Sequence, residues 1–177
     1  VVILEHRRLY DLRGPVPDGL EPVPIGLAAV AREGSDVTIV ATSYMVQEAL
    51  RAAEGLAGVG VSAEVVDLRS IRPLDRATIL NSVRKTGRLV VADTSWTTYG
   101  VAAEVAAVAA EDAFDALRAP VRRIGQADVP APVSSVLESE FYPSPETIAS
   151  ACLDLVGRSG AEVTIPEDVA PAFMGPY

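Results

Sequence analysis

A single cysteine and a single histidine set the first limits on this 177-residue sequence. With Cys152 alone, neither an intrachain disulfide nor a cysteine-based metal cluster can form. One cysteine and one histidine, His6, also fall short of a usual zinc ligand set. Cys152 lies in the apolar pattern of a late helix, where it reads as a small buried hydrophobe. Basic charge is scarce as well. The formal net charge is −9, which argues against a nucleic-acid partner, because phosphate backbones are bound by clustered Lys and Arg. The short basic clusters His6-Arg7-Arg8, Arg84-Lys85 and Arg122-Arg123 read as solvated faces with local ion pairs. No apolar run approaches the roughly 20 residues that span a bilayer, so no membrane partner is expected. Val1–Leu4 lacks the basic region of a signal peptide. A cytoplasmic protein is the expectation.

The usual catalytic motifs are missing too. There is no Gly-rich phosphate loop, because Gly58 and Gly60 follow a helical pattern instead of opening one. There is no Gly-x-Ser-x-Gly elbow, and no Gly-Asp-Gly run followed by Asn to hold a metal-bound diphosphate. The chain starts without Met inside what reads as a strand over residues 1–6, the pattern of a fragment with sequence upstream.

What is present is a strand–helix rhythm. Residues 7–26 read as a linker, since Pro15, Pro17, Pro22 and Pro24 forbid helix. Val37–Thr42 is a continuous β-branched run suited to a strand buried on both faces. Ser43 is placed to cap a helix through Met45, Ala49, Ala53 and Leu56, stopped by Gly58 and Gly60. Val61–Leu68 reads as a second strand, Pro73-Leu74-Asp75 opens a second helix, and Arg88–Asp93 is a third strand. An alanine-rich helix is expected from about Gly100 to Leu117, then a fourth strand at Val121–Gly125. Ser144-Pro145-Glu146 supplies a cap, a first-turn proline and a first-turn acid for a last helix to about Val156. Alternation of this kind predicts an α/β domain with a mostly parallel sheet covered on both faces. The tail from Gly157 to Tyr177 is expected to be extended and to lie against a partner.

In an open parallel sheet, function gathers at the carboxyl ends of the strands. Asp67 and Arg69 stand at one such end, and pair better as a structural ion pair than as a catalytic one. The segment Asp93-Thr94-Ser95-Trp96-Thr97-Thr98-Tyr99-Gly100 stands at another, with Glu104 a turn further on. It holds the sole tryptophan and precedes a helix start. Two readings remain open. Backbone N–H groups at the helix start receive an anion, or Thr97 or Thr98 caps the helix while Trp96 and Tyr99 fill an interface. Caps are commoner than ligand sites, so the second weighs more. No residue reads as a convincing catalyst; His6, beside two arginines, reads as structural.

Ordered phrases then give a family likeness. Val2-Ile3-Leu4-Glu5-His6-Arg7-Arg8-Leu9-Tyr10 resembles the close of the pyrimidine-binding domain in beta subunits of thiamine-diphosphate-dependent 2-oxo acid dehydrogenases. Arg32-Glu33-Gly34-Ser35-Asp36-Val37, Glu64–Asp75, Ser82–Leu89 and Asp128-Val129-Pro130-Ala131-Pro132 are similar to successive segments of the C-terminal domain that follows. The likeness covers about residues 1–157 and extends to transketolase C-terminal domains in general. It implies a three-layer α/β/α fold with a mostly parallel five-stranded sheet and one antiparallel edge strand. It divides the chain into the end of the upstream domain plus linker (1–26), the α/β domain (27–157) and an extended tail (158–177).

The resemblance further implies a subunit-assembly domain. In that family an alpha subunit binds the diphosphate and Mg²⁺, and the complete enzyme decarboxylates a 2-oxo acid and acylates a lipoyl group. The expected partners are therefore an alpha subunit, a second beta subunit and a dihydrolipoyl acyltransferase core, with self-association through exposed loops. Thiamine diphosphate and Mg²⁺ belong to the parent enzyme, with none bound by this stretch. The alternatives are the C-terminal domain of a transketolase or deoxyxylulose-phosphate synthase-like transferase, and a free-standing domain that binds a small anion. One departure stands out. The family often has His-Glu after the third strand and a Gly-Gly pair before the helix, where this chain has Asp93-Thr94 and Thr98-Tyr99.

Overall fold

Strong β-branched runs and two well-defined caps organise the fold. In the computed structural model, residues 1–14, 18, 19 and 22–167 are described. Strand β1 is Ala29–Arg32, β2 Val37–Ala41, β3 Ala63–Asp67, β4 Leu89–Trp96 and β5 Arg122–Gln126. Helix α1 is Met45–Gly58, α2 Arg76–Thr86, α3 Val101–Asp112, α4 Ser135–Phe141 and α5 Pro145–Leu155. The sheet order is β1-β3-β2-β4-β5, with β1 antiparallel to β3 and the other pairs parallel. This is the expected three-layer architecture with one antiparallel edge.

Every residue of β2 is buried, which is why its run is apolar without alternation. Ile39 faces a core with Met45 and Leu56 of α1 and Ile148 and Cys152 of α5. Val40 faces the other way, toward Ile79 and Val83 of α2 and Val105 of α3. Burial pushes the Cys152 thiol up to about 12, so it stays a neutral packing group, as expected. Asp75 caps α2, accepting from Thr78 N at 3.1 Å, and its other oxygen accepts from Ala28 N at 2.9 Å. One carboxylate thus starts a helix and ties down the approach to β1. Ser144 caps α5 as its sequence promised, accepting from Thr147 N at 3.3 Å.

Several expectations change. Residues 1–6 form no strand; Val1–Leu4 are exposed, and a short 3-10 turn follows at Arg7–Leu9. A strand needs a neighbour to pair its backbone, and none of the described strands lies beside this run. Ser43 does not cap α1, because it takes a left-handed conformation (φ 49°) and Tyr44 becomes the N-cap, its side chain making no capping bond to the helix. The alanine-rich helix stops at Asp112, and Phe114–Ala116 continue as a 3-10 turn. Helix α4 had no strong signal within its Pro-rich surroundings. The tail has no helix or strand over residues 161–167 and returns along α1 of its own chain: Val163 and Ile165 pack on the core, and Arg51 donates to the Pro166 carbonyl at 2.9 and 3.1 Å. Residues 168–177 lie outside the described residues.

Candidate functional site at the carboxyl ends of the strands

The parallel register brings the ends of β2, β3 and β4 to one rim. Three non-glycine residues with positive φ stand on it, one beyond each strand: Ser43 after β2 (49°), Arg69 after β3 (54°) and Tyr99 after β4 (58°). Side chains rarely adopt this conformation, which costs on the order of 1 kcal/mol or more and gathers at sites where a residue must be aimed. All the non-glycine cases among the described residues fall on this rim.

Between β2 and β4, where the strand order reverses, Asp93 is nearly buried and both its oxygens are used. Thr42 Oγ1 donates to Oδ1 at 2.7 Å and Ser95 Oγ to Oδ2 at 2.5 Å. Asp67 and Arg69 do pair, though not as neighbours on one strand face. Arg69 lies past the strand in a tight turn, its backbone N donating to Asp67 Oδ1 at 3.1 Å and its Nε standing 3.5 Å from Oδ2.

Strand β4 runs beyond its expected end at Asp93 because β5 holds it. With the Gln126 amide oriented to suit both neighbours, its nitrogen donates to the Thr94 carbonyl at 2.9 Å and its oxygen accepts from Trp96 Nε1 at 2.8 Å. Arg123 donates to the Thr97 carbonyl at 2.7 Å. Gly125 is needed here, since a Cβ would stand 2.4 Å from the Ser95 carbonyl. The segment is therefore a fixed ledge. Neither Thr97 nor Thr98 caps α3; the N-cap is Gly100, without a side-chain bond. A Cβ on Gly100 would meet the Trp96 carbonyl at 2.2 Å, so glycine is there for close approach. Trp96 remains 51% exposed and Tyr99 fully exposed, with Ile71 at 57% on the same rim. Glu104, exposed in the first turn of α3, already places negative charge by the helix start, which disfavours a second anion there. Its charge also helps to raise the pKa of Arg76, whose first cause is the hydrogen bond to Asp112.

Of the residues that fix the ledge, Ser95 is legible from sequence only as part of the Asp93–Gly100 segment, Arg123 reads there as a solvated face, and Thr42 and Gln126 carry no signal as ledge partners. Their signal was weak, because ordinary polar residues acquire these roles only through β4–β5 pairing. His6 lies against Tyr44, rings stacked at 5.2 Å, and its Nδ1 accepts from Arg8 N at 3.3 Å. Burial and then the Arg8 charge lower its pKa, which suits a neutral, structural ring. Arg8 also sits over the Tyr44 ring at 5.2 Å. Among the described residues no group of three His, Cys, Asp or Glu is placed to hold a metal ion. No described helix is long and apolar enough to cross a membrane.

The family model for the transketolase C-terminal domain matches residues 26–148. This chain belongs to that family. It is 51% identical over 155 residues to the pyruvate dehydrogenase E1 component subunit beta-1, mitochondrial, of Arabidopsis thaliana, covering 85% of this chain and 43% of that protein. It is 44% identical over 151 residues to the beta subunit of acetoin:2,6-dichlorophenolindophenol oxidoreductase of Cupriavidus necator, covering 85% of this chain and 45% of that one. Among solved structures, a split-gene transketolase described as an inactive beta4 tetramer matches with TM-score 0.70 and 31% identity, over 83% of this chain and 48% of that chain. The chain thus spans somewhat under half the length of these relatives.

Proposed function

We propose that this chain is the C-terminal assembly domain of a thiamine-diphosphate-dependent 2-oxo acid dehydrogenase beta subunit. The observation that carries the reading is the 51% identity over 155 residues to a pyruvate dehydrogenase beta subunit. A strand-end rim that presents aromatic side chains without a catalytic set fits an assembly role. Residues 1–26 are then the end of an upstream pyrimidine-binding domain with its linker, 27–157 the assembly domain, and 158–177 its tail.

The residues on the rim do not fit a diphosphate–Mg²⁺ group. Asp93 is hydrogen-bonded on both oxygens, and Asp67 is paired with Arg69. We therefore assign cofactor binding to the rest of the enzyme and derive no chemical step here. The ledge at Thr94, Trp96, Thr97, Tyr99 and Gly100 is proposed as an interface for the alpha subunit or a second beta subunit. Docking to an acyltransferase core and a cytoplasmic location are further parts of the proposal.

The test is reconstitution of the full-length protein with a cognate alpha subunit, thiamine diphosphate and Mg²⁺, assayed with a panel of 2-oxo acids and dichlorophenolindophenol as acceptor. Dye reduction with a 2-oxo acid is expected. Turnover of acetoin alone would move the assignment to the acetoin-type relatives, and ketol transfer between sugar phosphates would overturn it in favour of a transketolase.

A further inference from the structure

The outer strand β5 borders a cavity that the rim does not use. This depression, of about 460 Å³, lies between β5 and α5, and its lining includes Arg122, Ile124, Thr147, Ser150, Ala151 and Asp154. Small-ligand sites commonly enclose roughly 300–1,000 Å³. Strand alternation aims Arg122 at the α5 side, because Ile124, two residues on, is buried in one core cluster with Ile148 and Cys152 of that helix. Thr147, Ser150 and Asp154 recur at three- and four-residue spacing, so they form one stripe of α5. Arg88, just before β4, donates to the Leu155 carbonyl, and Val90 stands opposite Arg122. The last turn of α5 is therefore level with the start of β5, which brings Asp154 to the Arg122 end of the cavity.

Two opposite charges thus face one cavity without closing on each other. Among the described residues, neither the Arg122 nor the Asp154 side chain forms an ion pair or a hydrogen bond. Arg123, by contrast, is committed to the Thr97 carbonyl. The pair reads from sequence as one solvated face, and the structure separates its two members. A guanidinium offers parallel donors to a carboxylate, and a carboxylate accepts from an ammonium. A plain anion on Arg122 would bring its charge toward Asp154, whereas a molecule carrying both charges satisfies both groups. Ala151 and Ile124 supply the apolar wall beside them. We propose that this cavity binds an α-amino acid, with its carboxylate on Arg122, its ammonium on Asp154 and a small apolar side chain toward Ala151. The inference rests on the β5–α5 geometry alone, so its failure leaves the family-based function standing.

Calorimetric titration of the full-length protein with L-valine tests this. Binding is expected at roughly millimolar affinity, the level open to a ligand of that size. Two analogues, 3-methylbutanoate without the ammonium and isobutylamine without the carboxylate, should each bind about ten-fold more weakly, as one charge-assisted contact is lost. Arg122→Ala and Asp154→Asn should each weaken L-valine binding about ten-fold for the same reason. Their melting temperatures should match the parent's, because both side chains are exposed. No L-valine binding at about 10 mM overturns the proposal, and so does binding that ignores both substitutions. Binding of 3-methylbutanoate as tight as that of L-valine, lost with Arg122→Ala alone, also overturns it and reassigns the cavity to a plain anion.

Discussion

The two ends of the sheet both use polar side chains to tie the chain to itself, and they differ in backbone strain and in the Trp96 and Tyr99 surface left open at the carboxyl end. At the amino end, polar groups hold this chain together. Arg88 donates to the Leu155 carbonyl at 2.9 Å and the Asp36 carbonyl at 3.1 Å, and Asp36 accepts from Ser62 N at 2.8 Å. Lys85 joins Glu33 to Glu64, which is fully buried with Oε1 unpartnered. At the carboxyl end, backbone strain at Ser43, Arg69 and Tyr99 turns side chains outward, and aromatic surface stays uncovered by the described residues. The contrast supports the proposal that the carboxyl rim is a joining surface.

The comparison breaks most readily at the amino end. Gly34→Val would push a Cβ to 2.2 Å from the backbone of Ala63 and Glu64, with β3 unable to retreat from β2. We expect a loss of about 3 kcal/mol by urea denaturation, since overpacking against backbone cannot be absorbed by a rotamer change. Lys85→Met comes next, leaving the buried Glu64 carboxylate without its ammonium partner. Removing one partner of a fully buried pair costs several kcal/mol, but Lys85 is 41% exposed, so about 2 kcal/mol is expected. The two hydrogen-bonded carboxylates, Glu33 first and then Glu64, raise the Lys85 pKa. A raised cation stabilises fully below its unfolded value of 10.5, and that increment fades as pH rises through the folded value. The Met variant should therefore approach the parent at strongly alkaline pH. The Glu33 share of the difference should also close in acid, since Lys85 lowers the Glu33 pKa below 4.5.

Asp75 sharpens the comparison, because it lies near the carboxyl end yet serves its own chain. Burial raises its pKa, but hydrogen bonds from Thr78 N, Ala28 N and the Thr78 hydroxyl outweigh this and leave it below 3.8. Its contribution is thus complete above about pH 4 and is lost as pH falls through the lowered value. Asp75→Ala should cost about 1 kcal/mol at pH 7, with the gap to the parent closing in acid. Smallest of all, Ser43→Gly and Tyr99→Gly should change stability by under about 0.5 kcal/mol, because relief of positive-φ strain offsets the added chain entropy.

The parts of the fold that were legible in sequence carry their own local reason. Val37–Ala41 had a β-branched run, and α5 had Ser144-Pro145-Glu146. β1 has four residues, too few for a readable period, and its antiparallel edge was expected through family likeness alone. At the site, Asp67 with Arg69 and the Asp93–Gly100 segment could be placed at strand ends by topology. The positive φ of Ser43, Arg69 and Tyr99 could not be foreseen, because only glycine advertises that conformation. Nor could the extension of β4 to Trp96, which depends on Gln126 and Arg123 arriving from β5.

The central claim is that the carboxyl rim joins this domain to the rest of a 2-oxo acid dehydrogenase. Titrating full-length protein carrying Tyr99→Gly with the alpha subunit, by analytical ultracentrifugation, tests it most directly. Loss of an exposed interface aromatic should weaken assembly about ten-fold, or about 1.4 kcal/mol, with the melting temperature unchanged. Assembly as tight as the parent's would contradict the account.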